Sequence, residues 1–358
     1  MFALVRAILH GVSLEELHRK THIDIFFLTK LQNIVTTYLK LKSEISTLDA
    51  RHLPLLRTAK KRGFSDRQLE RILGIEEEKI YEFRKYHHLL PKVNRIDTLA
   101  GEFPSETNYC YMTYHGDPES EKIQKPTEKK KVLVLGSGAY RIGSSVEFDW
   151  CSVSTLSTLR TLGYETIMLN FNPETVSTDF DTSDILYFEE INLETIRTIF
   201  DRENPIGVII AMGGQIANNL ATRLKNANIP VIGTDPDDID SAENRHAFSS
   251  LLDSIDVEQP LWAELTTKEE ALFFAEKHGY PVIIRPSYVL SGANMRVCAD
   301  RRQLEIFLDT LVVSREFPTV ISKFEMNAKE IEIDGVAKDG KLELYAISEH
   351  IENAGVHS

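Results

Sequence analysis

Apolar positions along the first hundred residues recur at helical spacing. Phe2, Leu4, Val5, Ile8 and Leu9 fall on one face of a short N-terminal helix. Residues 24–46 place Ile25, Phe26, Leu28, Leu31, Ile34, Val35, Tyr38 and Leu39 at the same period with no breaker among them, which predicts a long amphipathic helix. Leu53–Arg62, Ser65–Leu73 and Glu76–Tyr86 read as three shorter helices. Gly63 and Gly74 punctuate them, with Ser65 and Gly74-Ile75 where helix starts are expected. Residues 1–115 are therefore expected to be a helical domain, and the polar, proline-bearing stretch 116–131, GDPESEKIQKPTEKKK, a linker.

The period then changes. Short apolar runs at 132–135, 167–169, 208–210 and 231–232 alternate with helical stretches at 146–162, 193–202 and 217–226. Strands alternating with helices imply βαβ units and a parallel sheet, here spanning 132–240. From 241 the pattern shifts again. Ser241 is expected to cap a helix over 242–254, and a second helix is expected at 267–277. Strands are expected at 281–285, 320–323, 330–337 and 341–347, the last two joined by a tight hairpin at Lys338-Asp339-Gly340. Residues 241–358 thus read as an α+β domain.

Composition narrows the class. The chain has 358 residues, 42% hydrophobic and 27% charged, as in an ordinary globular protein. No run of 18 apolar residues is present, so no membrane partner is expected. The formal net charge is −13, which disfavours a nucleic-acid partner. Residues 1–100 carry 18 basic against 12 acidic side chains, but Lys60-Lys61-Arg62 has no interleaved aromatic platform for bases. Cys110, Cys151 and Cys298 are far apart and form no C-x-x-C, so a disulfide framework or structural zinc is disfavoured and a reducing, cytoplasmic setting is expected.

Three segments carry candidate chemistry. Gly136-Ser137-Gly138-Ala139-Tyr140-Arg141-Ile142-Gly143 follows a strand and opens a helix, where backbone amides could meet an anion. Its spacing fits neither the dinucleotide fingerprint nor a P-loop, and a tight strand-to-helix turn accounts for the same glycines. Arg285 ends a strand before a small-residue loop containing Ser291 and Gly292, a setting suited to bidentate phosphate binding; a surface arginine beside a turn fits equally. Lys323, Glu325 and Glu330 could serve an adenine edge and ribose hydroxyls, or form a solvated hairpin. The acid–base groups of 349–358 match no zinc spacing.

Together these strings resemble the carbamoyl-phosphate synthase large chain. The resemblance lies in VLVLGSGAYRIGSSVEFDWCSVSTLSTLR at 132–160, Asn172 to Asp179, Gly213-Gly214-Gln215, Ser241 to Arg245, RPSYVLSG at 285–292 and EHIENAGVHS at 349–358. Residues 20–115, with FFLTKLQNIV and KRGFSDRQL, resemble that family's oligomerisation domain, and residues 1–19 would end the preceding synthetase half. The wording is similar to eukaryotic members, including multifunctional pyrimidine-pathway proteins. The resemblance implies a multidomain α/β chain: a helical oligomerisation domain, a Rossmann-like pre-ATP-grasp domain with a parallel sheet, and an α+β ATP-grasp domain that is incomplete. It implies an ATP-dependent ligase that makes carbamoyl phosphate from bicarbonate, ammonia and two ATP, this segment belonging to the half that phosphorylates carbamate.

Carried over residue by residue, the resemblance assigns Arg245 and Arg285 to phosphates, and Ser291 and Gly292 to the loop over the triphosphate. It assigns Lys323 and Glu325 to adenine, Glu330 to ribose, and Gly355, Val356, His357 and Ser358 to the phosphate-transfer site, with Arg285 and His357 closest to the chemistry. ATP would arrive with Mg2+ or Mn2+, whose ligands in the family fall beyond this segment. The implied partners are carbamate or bicarbonate, a glutaminase subunit or fused glutaminase, and further copies of the chain joined through 20–115. The alternatives are a non-catalytic assembly fragment that binds ATP weakly or not at all, and a different ATP-grasp ligase of biotin-carboxylase type.

Overall fold

The computed structural model describes residues 1–95, 107–115, 127–140, 146–286, 295–311 and 319–353. They divide into two compact units, Met1–Pro236 and Asp237–Ser358.

The first unit opens with six helices: α1 (Phe2–Leu9), α2 (Leu14–Thr21), α3 (Ile25–Glu44), α4 (Leu53–Lys61), α5 (Asp66–Leu73) and α6 (Glu77–Tyr86). Three of them, α2, α3 and α5, start at side-chain caps: Ser13 accepts from Glu16 N at 3.2 Å, Asp24 from Phe26 N at 2.7 Å, and Ser65 forms a reciprocal capping box with Gln68. Gly74, expected near a helix start, instead ends α5 in the left-handed region at φ +67°, where a side chain would be strained. Leu41, Leu56, Leu69 and Ile80, all fully buried, form the centre of this helical layer.

A six-stranded sheet follows, built from β1 (Lys92–Arg95), β2 (Tyr109–Thr113), β3 (Lys131–Leu135), β4 (Glu165–Asn170), β5 (Ile185–Phe188) and β6 (Val208–Ile209) in the order β1-β2-β5-β4-β3-β6. Only β1 runs antiparallel, at the edge. The helices between strands are α7 (Glu147–Thr161), α8 (Leu193–Glu203), α9 (Gly214–Asn218) and α10 (Ala221–Asn226). Leu133, Val134, Ile167, Met168 and Leu186 are completely buried, which is why these strands read as unbroken apolar runs.

Several details differ from the expected pattern, and α2 and β5 stand where no element is expected. β1 and β2 lie inside the stretch expected to be helical; β2 pairs with β5, far along the chain, so no local period announces it. The helix expected over 217–226 is split between α9 and α10. The strand expected at 231–232 is a single bridge, Val231 to Val208.

In the second unit, α11 (Pro236–Glu243) and α12 (Arg245–Ser254) replace the one helix expected over 242–254. The cap is Asn244 rather than Ser241: its side chain accepts from Ala247 N at 3.1 Å and starts a new helix there. Strands β7 (Trp262–Leu265), β8 (Val282–Pro286), β9 (Arg296–Cys298) and β10 (Thr319–Lys323) form an antiparallel sheet in the order β7-β10-β8-β9. Helices α13 (Lys268–His278) and α14 (Arg301–Leu308) bury Phe274, Leu304 and Phe307 with Val282, Ile284 and Ile321.

A separate hairpin joins β11 (Lys329–Lys338) to β12 (Lys341–Asn353). Asp339 and Gly340 both take positive φ, +51° and +75°, as a two-residue turn of the mirror-image type requires. Among the described residues no helix is long and apolar enough to cross a membrane.

Candidate functional site

The carboxyl ends of β3 and β6, where the strand order reverses, are where open α/β sheets usually take ligands. In this chain the described glycines at that crevice are closely packed. A Cβ on Gly136 would lie 2.5 Å from the Asn170 side chain, and one on Gly213 would lie 2.6 Å from the Gly136 carbonyl oxygen. Gly138 sits at φ +73° against the Phe171 ring, and its amide donates to Asn170 Oδ1 at 3.0 Å. Asn170 in turn donates to Ser177 Oγ at 3.0 Å. The Gly138 amide that could have met an anion is thus committed to a neighbouring side chain, and close packing accounts for the described glycines of the turn. Residues 141–145 of the same motif lie outside the described residues.

The sheet of the second unit holds the other candidates. Arg285 stands one residue from the end of β8, opposite Val320 on β10. Alternation along β8 places Val282 and Ile284 on the helix-covered face, and Ile283 and Arg285 on the other. Lys323 pairs with Val282, so by register it belongs to the helix-covered face, opposite to Arg285. The Lys323 ammonium donates to the Tyr280 carbonyl oxygen at 2.8 Å, just past the end of α13. One cationic group tethers the helix end, while the other, half-buried, stands on the opposite face of the sheet with Ile283 and Val320.

Beyond Lys323, the Phe324 amide still donates to the Pro281 carbonyl oxygen at 3.1 Å, which directs the chain toward the hairpin. Glu325 is exposed in that turn, and Glu330 is half-buried beside the register shift at the start of β11. The two acids expected to act on adenine and ribose therefore bracket the turn from sheet to hairpin. Arg245 is the first residue of α12, directly after its Asn244 cap. Ser291, Gly292, Gly355, Val356, His357 and Ser358 lie outside the described residues. Among the described residues no group of three His, Cys, Asp or Glu side chains is placed to hold a metal ion.

Sequence reasoning missed the tether role of Lys323. Its signal was available only in the strand register, since parity along β10, once paired with β8, decides the face. It also missed a cavity of about 320 Å3 in the first unit, lined in part by Lys61, Phe64, Met112, His115 and Glu189. Burial pushes the Glu189 carboxyl up, only partly offset by the Met112 amide. None of the expected site residues lines this cavity.

Comparison with known proteins agrees with this order of parts. Residues 1–88 match the family model of the carbamoyl-phosphate synthetase large chain oligomerisation domain, 128–241 that of the carbamoyl phosphate synthase preATP-grasp domain, and 244–349 that of the carbamoyl-phosphate synthase L chain ATP binding domain. The chain is 50% identical over its whole length to the multifunctional protein pyr1-3 of Dictyostelium discoideum and 50% identical to the multifunctional protein URA2 of Saccharomyces cerevisiae, covering 16% of each. It is 51% identical to the carbamoyl phosphate synthase arginine-specific large chain of Cutaneotrichosporon cutaneum, covering 30% of that protein. The chain thus spans less than a third of the curated relatives it matches. With three successive domain models of one family and half-identity along its full length, the chain belongs to the carbamoyl-phosphate synthase large-chain family.

Proposed function

We propose that this chain forms part of the ATP-dependent ligase that makes carbamoyl phosphate, and that it belongs to the half in which ATP phosphorylates carbamate. The observation that carries this reading is the match of 244–349 to the family's ATP binding domain, with Arg285 near the end of β8 inside that match. In that reaction a carbamate oxygen attacks the γ-phosphorus of ATP, the bond to the β-phosphate oxygen breaks, and ADP leaves with the electron pair. Charge gathers on the equatorial oxygens, so fixed cations and exclusion of water are what a protein can contribute. Arg285 and Arg245 supply cations in this reading. Ser291 and Gly292 cover the triphosphate, Lys323, through its backbone because its ammonium is held by the Tyr280 carbonyl, serves adenine with Glu325, Glu330 serves ribose, and Gly355 to Ser358 line the transfer site. Mg2+ or Mn2+ would neutralise phosphate charge when bound. Bicarbonate and glutamine-derived ammonia, from a fused or separate glutaminase, belong to the larger protein.

Assembly with further copies through 20–115 is supported by the oligomerisation-domain match and by Phe26, Phe27 and Leu39, which stand exposed on α3. The test of the site is Arg285→Met in a full-length large chain, read by ATP formation from carbamoyl phosphate and ADP. Loss of about ten- to a hundredfold is expected, the worth of a charged hydrogen bond. Wild-type reverse activity would remove Arg285 from the site. The 358-residue chain alone is expected to give no turnover with bicarbonate, ATP and ammonia, and turnover by it would overturn the division of labour proposed here.

A further inference from the structure

Helix α8 has two unlike faces. Ile196 and Ile199 share one face and are fully buried. Glu194, Arg197 and Asp201, at i, i+3 and i+7, share the other face, and each meets the helical layer of the same unit. Glu194 bonds to the Lys60 ammonium at 2.6 Å and to the Arg84 guanidinium at 3.0 Å, and it accepts from the Asp66 amide at 2.8 Å. Arg197 pairs with Glu78 and stands over the Tyr81 ring, 5.0 Å from its centroid. Asp201 pairs with Lys85 at 2.7 Å and accepts from the Tyr81 hydroxyl at 2.9 Å. From α10, Arg223 adds a pair with Glu77.

The signs alternate along the contact. α8 presents minus, plus, minus, and the helical layer answers with Lys60 and Arg84, then Glu78, then Lys85. A slip by one helical turn sets Glu194 against Glu78 and Arg197 against Lys85, two like-charge contacts. Apolar contacts tolerate such a slip; these do not. The first of the three positions is also deeply desolvated. Arg84 and Asp66 are completely buried and Lys60 nearly so, and the Arg84 guanidinium further donates to the Leu89 carbonyl and the Tyr114 hydroxyl, each at 2.9 Å. Buried charges of this kind add little net stability over apolar packing, but removing one partner strands the other. Such an arrangement serves registry better than it serves stability.

We propose that the charged face of α8 is a key that seats the helical layer on the parallel sheet in a single register, so that the two open and close as one body. The decisive residue is Arg197, whose charge sits between two acids of its own helix and faces a third. Amide hydrogen exchange of the 358-residue chain reads this directly. In the unmodified chain, Leu69 of the helical layer and Ile167 of the sheet should exchange through one common opening, with equal denaturant dependence.

Arg197→Glu should separate them, with Leu69 exchanging about tenfold faster than Ile167, the scale of a coupled charge contact. The paired exchange Arg197→Glu with Glu78→Arg should bring them together again. Rescue of folding by the second substitution, where Arg197→Glu alone does not fold, supports the key in the same way. Common exchange of both amides in Arg197→Glu, or a double variant no better than the single, overturns it.

Discussion

The six-stranded sheet and the β11–β12 hairpin are both extended backbone rich in Ile, Val and Leu, yet their surroundings are opposite. In the sheet, Leu133, Ile167 and Leu186 lose all contact with solvent. In the hairpin, Ile331, Ile333, Tyr345 and Ile347 share one face and remain 58–66% exposed. The difference lies in how each is held. A parallel strand cannot form without a crossover, so helices come with it and cover it. The hairpin is closed locally by Asp339-Gly340 and its ladder, and needs no cover to take its register. An apolar strand therefore says that it needs burial, not that its own segment provides it.

That contrast can be broken or sharpened by substitution. Leu133→Ala, at the centre of the sheet, should cost about 2–5 kcal/mol, the transfer loss plus a cavity, while Ile333→Ala should change stability by no more than about 0.5 kcal/mol. Urea unfolding of both variants checks this, and an equal loss at Ile333 would show that the hairpin face is packed. Next in size, Tyr187→Phe removes a hydroxyl that donates to Glu203 at 2.6 Å beneath the sheet; about 1–3 kcal/mol should be lost, measured the same way, because the buried carboxylate keeps Lys131 but loses this donor.

Gly340→Ala should destabilise the hairpin locally by about 1 kcal/mol, since alanine pays for a left-handed backbone. Amides of β11 and β12 should exchange faster while Ile167 is unchanged; a shift at Ile167 would tie the hairpin to the sheet.

The smallest effect is ionic. His350 lies 3.3 Å from Glu332 across the hairpin, and this hydrogen bond raises the imidazole above its ordinary value of 6.5. A raised histidine favours folding fully below pH 6.5, and the contribution is lost as pH rises through the folded value. Glu332→Gln should lower the His350 titration midpoint by NMR, and an unmoved midpoint would exclude the pair.

Signals in the sequence that act through near neighbours match the structure. Ser65, the Asp-Gly turn and the apolar runs at 132–135 and 167–169 each work through neighbours within a few residues, and each stands where expected. Gly74 and Asn244 were ambiguous for a physical reason: glycine suits either end of a helix, and a string of Asp, Ser and Asn offers several competing caps. Of the candidate site, the place of Arg285 near a strand end was legible, and its face was not. Parity relative to a partner strand, whose Val320 lies opposite it 35 residues along the chain, decides that face.

The sequence by itself determined the order of parts, the helix periods, the parallel core and the family, because each is written in residue spacing or in long strings. Only the tertiary structure decided that the glycine turn closes on Asn170, that Lys323 tethers α13, and that the charged face of α8 is an interface rather than a solvated surface. Glu194, Arg197 and Asp201 look like any solvent-facing stripe until Lys60, Glu78 and Lys85, more than a hundred residues away, are brought against them. A charge pattern carries its own sign, but its meaning depends on what the fold places opposite.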